Sequence, residues 1–129
     1  MRHSALLEQS IEQDAVIAAF GPFTNLALLE QRSPGILHNT RLFLMGGYVF
    51  APREGFPKWG KEMDYNVQID VQSALHVSEH STPTLIPLSL TVETALRREY
   101  LPALGRAGRM GQLLARQAEA FAVDENMEA

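Results

Sequence analysis

The sequence contains no cysteine, which excludes disulfide staples, thiolate nucleophiles and thiolate metal ligands. No apolar stretch approaches the roughly 18 residues that a membrane-spanning helix needs. Met1-Arg2-His3 leads into no apolar run of the kind that follows the basic start of a secretory signal. Blocks of Lys or Arg are also missing, and a net charge of −4 has the wrong sign for a general nucleic-acid footprint. The chain is therefore expected to be soluble and cytoplasmic, with neither a membrane nor nucleic acid as partner. What is present is ordinary globular material: 129 residues, 46% hydrophobic and 20% charged, the size of one domain.

Three short apolar runs read as buried strands: residues 15–20 (Ala-Val-Ile-Ala-Ala-Phe), 42–45 (Leu-Phe-Leu-Met) and 84–88 (Thr-Leu-Ile-Pro-Leu). None alternates polar with apolar, so all are expected to be covered on both faces. Pro87 donates no ladder bond and belongs at a strand end or edge. Helical patterns lie between and after the runs. Residues 2–12 place Leu6, Leu7, Ser10 and Ile11 on one side. Residues 24–32 read as a helix capped by Thr24 or Asn25 and stopped by Ser33-Pro34-Gly35. Over 70–80 the spacing predicts a stripe of Val71, Ala74, Leu75 and Ser78, and over 110–122 one of Met110, Leu113, Leu114, Ala118 and Phe121. The tail from Asp124 to Ala129 is polar. Alternation of strand and helix up to about residue 90 predicts parallel βαβ units, with ligands beyond the carboxyl ends of the strands.

Those ends carry the informative residues. Gly21-Pro22-Phe23-Thr24-Asn25 follows the first run and reads as a strand-to-helix turn. It is either that alone or a turn that presents backbone groups at the sheet edge. Met45-Gly46-Gly47 follows the second and opens an aperiodic connection to Gly60 that holds Trp59, the only tryptophan. A connection of that length is usually functional or disordered, and its aromatic and proline content favours an ordered binding loop. Asp70 reads as a helix N-cap. Asp64 and Asn66 alternate in what reads as an extended segment, with both side chains on one side. A carboxylate beside an amide can grip a vicinal diol.

In order and spacing these features resemble the inosine-uridine preferring nucleoside hydrolase family over residues 5–95. The family's Gly-Pro-Leu-Thr-Asn-Leu-Ala is matched by Gly21 to Ala27, its Met-Gly-Gly by Met45-Gly46-Gly47, and its Glu-Phe-Asn by Asp64-Tyr65-Asn66. Its Asp-Pro-Glu-Ala-Ala corresponds to Asp70 through Ala74, and its Leu-Asp-Val-Thr to Leu88-Ser89-Leu90-Thr91. The resemblance implies an α/β fold, a partial Rossmann-like and mainly parallel sheet with flanking helices. It also implies hydrolysis of the N-glycosidic bond of purine and pyrimidine ribonucleosides, giving base and ribose. Family members use Ca²⁺ to hold the attacking water. The resemblance assigns one Ca²⁺ ligand to the backbone carbonyl of Phe20, and ribose contacts to Met45, Asp64 and Asn66. Gly21, Pro22, Thr24 and Asn25 keep the structural turn.

Departures go with it. Asp64 is one methylene shorter than the family's Glu, Ser89 stands where the family has Asp, and the loop asparagine of a Gly-Asn pair falls near Lys58. Neither the Asp-x-Asp-Pro-Gly-x-Asp-Asp segment nor the later His-Asp pair, which supply the Ca²⁺ carboxylates and the general base, occurs in the sequence. Residues 1–129 are thus expected to be a single partial domain, an αβ core over 1–95 and a helical segment over 96–129. It should bind Ca²⁺ poorly, be inactive alone and be prone to self-association through uncovered apolar surface. Two rival readings stand beside this. His76-Val77-Ser78-Glu79-His80 fits the H-x-x-E-H pattern of inverted zinc metallopeptidases, although its histidines are expected on the solvent face. The segment 97–123, with Arg97, Arg98, Arg106, Arg109 and Arg116, could instead serve a non-catalytic interaction module.

Overall fold

The computed structural model describes residues 2–94 and 96–124, with side chains from Ala5 to Thr94 and from Leu96 to Phe121. The polar tail beyond Asp124 lies outside the described residues. The chain divides after Thr94 into two compact units.

In the first unit the order is α1 (Arg2–Glu12), β1 (Ile17–Ala19), α2 (Thr24–Arg32), β2 (Leu42–Met45), α3 (Tyr65–Gln68), α4 (Val71–His80), β3 (Thr84–Ile86) and α5 (Leu88–Thr91). The three strands form a parallel sheet in the order β1-β2-β3. Ala18 pairs with Phe43, and Phe43 with Thr84. This is the α/β architecture that the alternation of elements implies.

The core lies on one face of the sheet. Phe23, Leu26, Ala27 and Leu29 from the α2 region and Ala74 and Val77 from α4 pack with Leu37, Leu42 and Leu44, while Leu7 and Ile11 of α1 close the margin. Leu29, Leu37, Leu44 and Val77 are fully buried, and burial of each such side chain contributes about 1.5–3 kcal/mol. The other face differs from expectation. Val16, Phe20 and Phe43 are exposed, so burial alternates along β2 although the sequence does not. Both faces are apolar, and only one is covered by the described residues.

The stripe expected on α4 is corrected likewise. Ala74 and Val77 face the core, while Val71 and Leu75 are exposed. Three-residue spacing without the fourth position suffices, because the helix meets a small core along a narrow line. Thr24 and Asn25 do not cap α2. The cap position is Phe23, with no side-chain bond to the helix.

The second unit holds α6 (Leu101–Arg106) and α7 (Arg109–Asp124). Here too the expected stripe is not the buried one. Met110, Leu113, Leu114 and Phe121 are exposed, and the more buried line runs through Gly111, Ala115 and Ala118. Gly111 explains this: a Cβ there would lie 2.1 Å from the Leu104 carbonyl, so only glycine lets the two helices approach so closely. Arg97, Arg98, Arg106, Arg109 and Arg116 are all exposed.

Candidate functional site

The carboxyl ends of β1 and β2 are drawn together by one side chain. Asn66, in α3, directs its amide nitrogen at the Phe20 carbonyl (3.2 Å), the Met45 carbonyl (2.9 Å) and the Met45 sulfur (2.9 Å). Three acceptors around this atom identify it as the nitrogen, since the amide oxygen could donate to none of them. Asn66 is buried, and among the described residues its bonds all run through the nitrogen, leaving the amide Oδ1 unengaged.

Asp64 is two residues away and serves a different purpose. The sequence reading of an extended 64–66 segment is corrected: Asp64 is the N-cap of α3, and Asn66 lies within that helix. Their side chains therefore do not project as a pair. Asp64 is 3% exposed. It accepts from the Gly47 N–H at 2.6 Å and from the Val67 N–H at 3.4 Å. The carboxylate thus ties the turn after β2 to the start of α3. That turn needs glycine, because Gly46 and Gly47 have φ of +151° and +94°. A Cβ on Gly46 would also meet Phe23 and Val67 at 3.3 Å. Beyond it the ladder continues, with Gly46 donating to Ile86 and Leu88 donating to Gly47.

Thr24 and Asp70 form a second tie. The Thr24 hydroxyl donates to Asp70 Oδ2 at 2.5 Å, while Oδ1 accepts from the Ser73 N–H at 3.1 Å. Asp70 is thus the expected N-cap of α4 and also a link to the first residue of α2. The Thr24 hydroxyl, with the Ser73 donors, holds the Asp70 carboxyl below its ordinary pKa. Thr24→Val is expected to raise the Asp70 midpoint in a carbon-detected NMR titration of the carboxyl. An unmoved midpoint would show that Ser73 alone sets it. Asn25 is exposed beside this link, and neither Gly21 nor Pro22 is buried. Gly21 has no positive φ and no atom within 4 Å of a Cβ built on it, so its turn does not demand glycine.

The connection from Tyr48 to Gly60 is anchored by Arg53, which donates through Nε to Glu93 at 2.7 Å and again through a second nitrogen. Arg53 also lies 5.8 Å from the centre of the Phe56 ring. The pair keeps the Glu93 carboxyl below its usual range, mainly through the hydrogen bond from Arg53. A cavity of about 610 Å³ lies between this loop and β3, with Phe50, Arg53, Leu85, Ser89 and Glu93 among its walls. Ser89 is buried, and its hydroxyl has no partner among the described residues.

The sequence reading overlooked Glu30, a buried carboxylate of α2 that accepts from the Gly35 and Leu37 N–H groups. Its signal was available: Glu30 falls on the same helical line as Phe23, Leu26 and Ala27, where a charge demands buried partners.

The histidine pattern does not assemble into a metal site. The His76 and His80 rings lie 4.2 Å apart. However, no group of three or more His, Cys, Asp or Glu side chains that could hold a metal ion occurs among the described residues. His80 is exposed as expected, but His76 is partly buried and its Nε2 is buried, which corrects its placement on the solvent face. The edge around Phe20 does not fit calcium either. A hard divalent cation takes 6–8 oxygen ligands, largely carboxylates, whereas this edge offers two neutral carbonyls and a soft thioether sulfur. The Phe20 carbonyl already accepts a hydrogen bond from Asn66, and Asp64, the carboxylate two residues from Asn66, is engaged by backbone donors.

The sequence that builds these strand ends is similar to that of known proteins. The family model described as inosine-uridine preferring nucleoside hydrolase matches residues 2–128. Non-specific ribonucleoside hydrolases RihC of Salmonella paratyphi A (strain ATCC 9150 / SARB42) and Salmonella schwarzengrund (strain CVM19633) are each 34% identical over 99 residues. Each alignment covers 73% of this chain and 31% of the relative, so the chain matches less than a third of those proteins' length. With a family model that runs through both units and with these relatives, the chain belongs to the inosine-uridine preferring nucleoside hydrolase family.

Proposed function

We propose that this chain carries the ribose-facing edge of a nucleoside N-ribohydrolase, whose reaction adds water across the N-glycosidic bond to release base and ribose. The observation that carries the reading is the convergence of the β1 and β2 ends on Asn66. In this reading the Asn66 Oδ1 accepts a hydrogen bond from a ribose hydroxyl, and the Met45 side chain packs against the sugar. Asp64 acts through the Gly46-Gly47 turn that it holds. The substrate class is a ribonucleoside, and the compartment is the cytoplasm. No helix among the described residues is long and apolar enough to cross a membrane.

The chain alone is not expected to turn over substrate. Cleavage passes through a sugar with oxocarbenium character, which needs a base for water and negative charge near the ribose. Asp64 and Asp70, the carboxylates that bond to the segments following β2 and β1, are both engaged by N–H or O–H donors. Neither is placed to take a proton. A titration with inosine, read by the Met45 methyl and Asn66 side-chain amide resonances, tests the reading. Movement of both signals without release of hypoxanthine is the expected result. Still signals at millimolar inosine, or shifts confined to other residues, would remove the ribose assignment.

A further inference from the structure

We infer that in this chain the Asn66 amide takes the place of a cation at the β1–β2 edge, so that Phe20 is not a calcium ligand here and the edge closes without metal. Two backbone carbonyls and a thioether converge on one point from two strand ends. Such convergence leaves acceptor lone pairs facing one another and calls for something electropositive between them. Asn66 Nδ2 stands at that point, with all three acceptors 2.9–3.2 Å away. The two distances to oxygen are lengths for N–H donors, and the sulfur stands in close contact with the same nitrogen. Calcium–oxygen distances are about 2.3–2.6 Å, so a cation would require the acceptors to close in by about half an ångström and the amide to leave. Among the described residues the site supplies no formal negative charge to make that exchange favourable. It is also held from the other side, because Asp64 fixes the first turn of the helix that carries Asn66.

A substitution follows that should turn the latch into a metal site. Asn66→Asp places a carboxylate against the Phe20 and Met45 carbonyls, an arrangement of acceptors alone that repels until a cation enters. The full chain is expected to show no heat of calcium binding and no shift in Tm between chelator and about 1 mM Ca²⁺, a concentration that populates even weak protein calcium sites. Asn66→Asp is expected to melt lower in chelator and to gain about 5 °C in tenfold excess of Ca²⁺ over its Kd. Calcium stabilisation of the unsubstituted chain would overturn the inference, and so would a folded Asn66→Asp variant indifferent to calcium. Should that variant not fold at any calcium concentration, the Asn66 side-chain NH₂ signals of the unsubstituted chain decide. Protected protons that calcium leaves in place support the latch, and protons lost to exchange or displaced by calcium refute it. The inference does not depend on the nucleoside reading. Inosine without effect sinks only that reading, and a calcium response in the unsubstituted chain sinks only the latch.

Discussion

Glu30→Ala is expected to lower the unfolding free energy by about 3 kcal/mol at neutral pH, as read from urea denaturation. The carboxylate is 2% exposed and accepts from the Gly35 N–H at 2.5 Å and the Leu37 N–H at 3.0 Å. These two donors lie in the turn that leaves α2, and Leu37 is itself a fully buried part of the core. Truncation strands both N–H groups and frees the segment that seats Leu37. Each charge-assisted bond contributes about 1.5–3 kcal/mol, and the relieved desolvation of the carboxylate offsets part of their sum. Glu30→Gln keeps one acceptor oxygen but turns an NH₂ toward the other donor, so it is expected to lose nearly as much. The pH dependence has a definite sign. Burial pushes the Glu30 carboxyl up, but the Gly35 and Leu37 donors, together with the positive field of His80 and His76, hold it below its ordinary value near 4.5. A carboxyl depressed in the folded state contributes its full stability above the unfolded pKa and loses it as pH falls through the folded one. The unsubstituted chain should therefore lose more stability than Glu30→Ala as pH falls below about 4.5. Parallel acid profiles would show that the carboxylate is not the source.

How much of this the sequence revealed depends on whether the deciding force is local. Turn and helix boundaries are set by neighbouring residues. Arg2–Glu12, Thr24–Arg32 and Val71–His80 accordingly lie where periodicity and the Ser33-Pro34-Gly35 stop put them. The parallel order of the strands followed from their alternation with helices. Which side of an element is buried depends on partners remote in sequence. Leu75 and Val71 have the right spacing for a core stripe, yet the core they would enter is filled by Ala74 and Val77. On α7 the close approach of Gly111 to Leu104, not the large apolar residues, fixes the buried side. The site shows the same division. Met45, Asp64 and Asn66 were singled out by their order along the chain; Asn66 bonds to Met45 at the end of β2, and Asp64 bonds instead to Gly47 in the turn that follows. Their geometry was not legible, because a period-2 reading of Asp64-Tyr65-Asn66 cannot register a carboxylate that caps its own short helix. Glu30 shows both halves: its place on the line of Phe23, Leu26 and Ala27 marks it as buried, but its partners, the Gly35 and Leu37 N–H groups, cannot be read from residue type.

Asp64→Ala is expected to be the other large loss, about 3 kcal/mol, and it separates the two ways in which this carboxylate could serve a sugar site. The substitution removes the N-cap of α3 and strands the Gly47 N–H, which now donates to Oδ2 at 2.6 Å. Because Gly46 and Gly47 adopt backbone conformations unfavourable to other residues, their turn relies on this bond to stay ordered. Asn66 follows, since its place against the Phe20 and Met45 carbonyls depends on the orientation of α3. The expected result is faster hydrogen exchange at Gly47 and at the Asn66 side chain, together with the fall in stability. Asp64→Glu, which restores the family's residue, lengthens the side chain by one methylene within a contact already at 3.5 Å from a Cβ position on Gly46. It is expected to weaken the turn by less than Asp64→Ala, because an acceptor for Gly47 survives. If Asp64 supports the sugar site through the turn, the inosine response of the Met45 methyl should weaken in step with the exchange rate at Gly47 across both variants. A variant with slow exchange and native stability that no longer responds to inosine would mean that Asp64 meets the ribose directly, and the backbone role assigned to it here would fail.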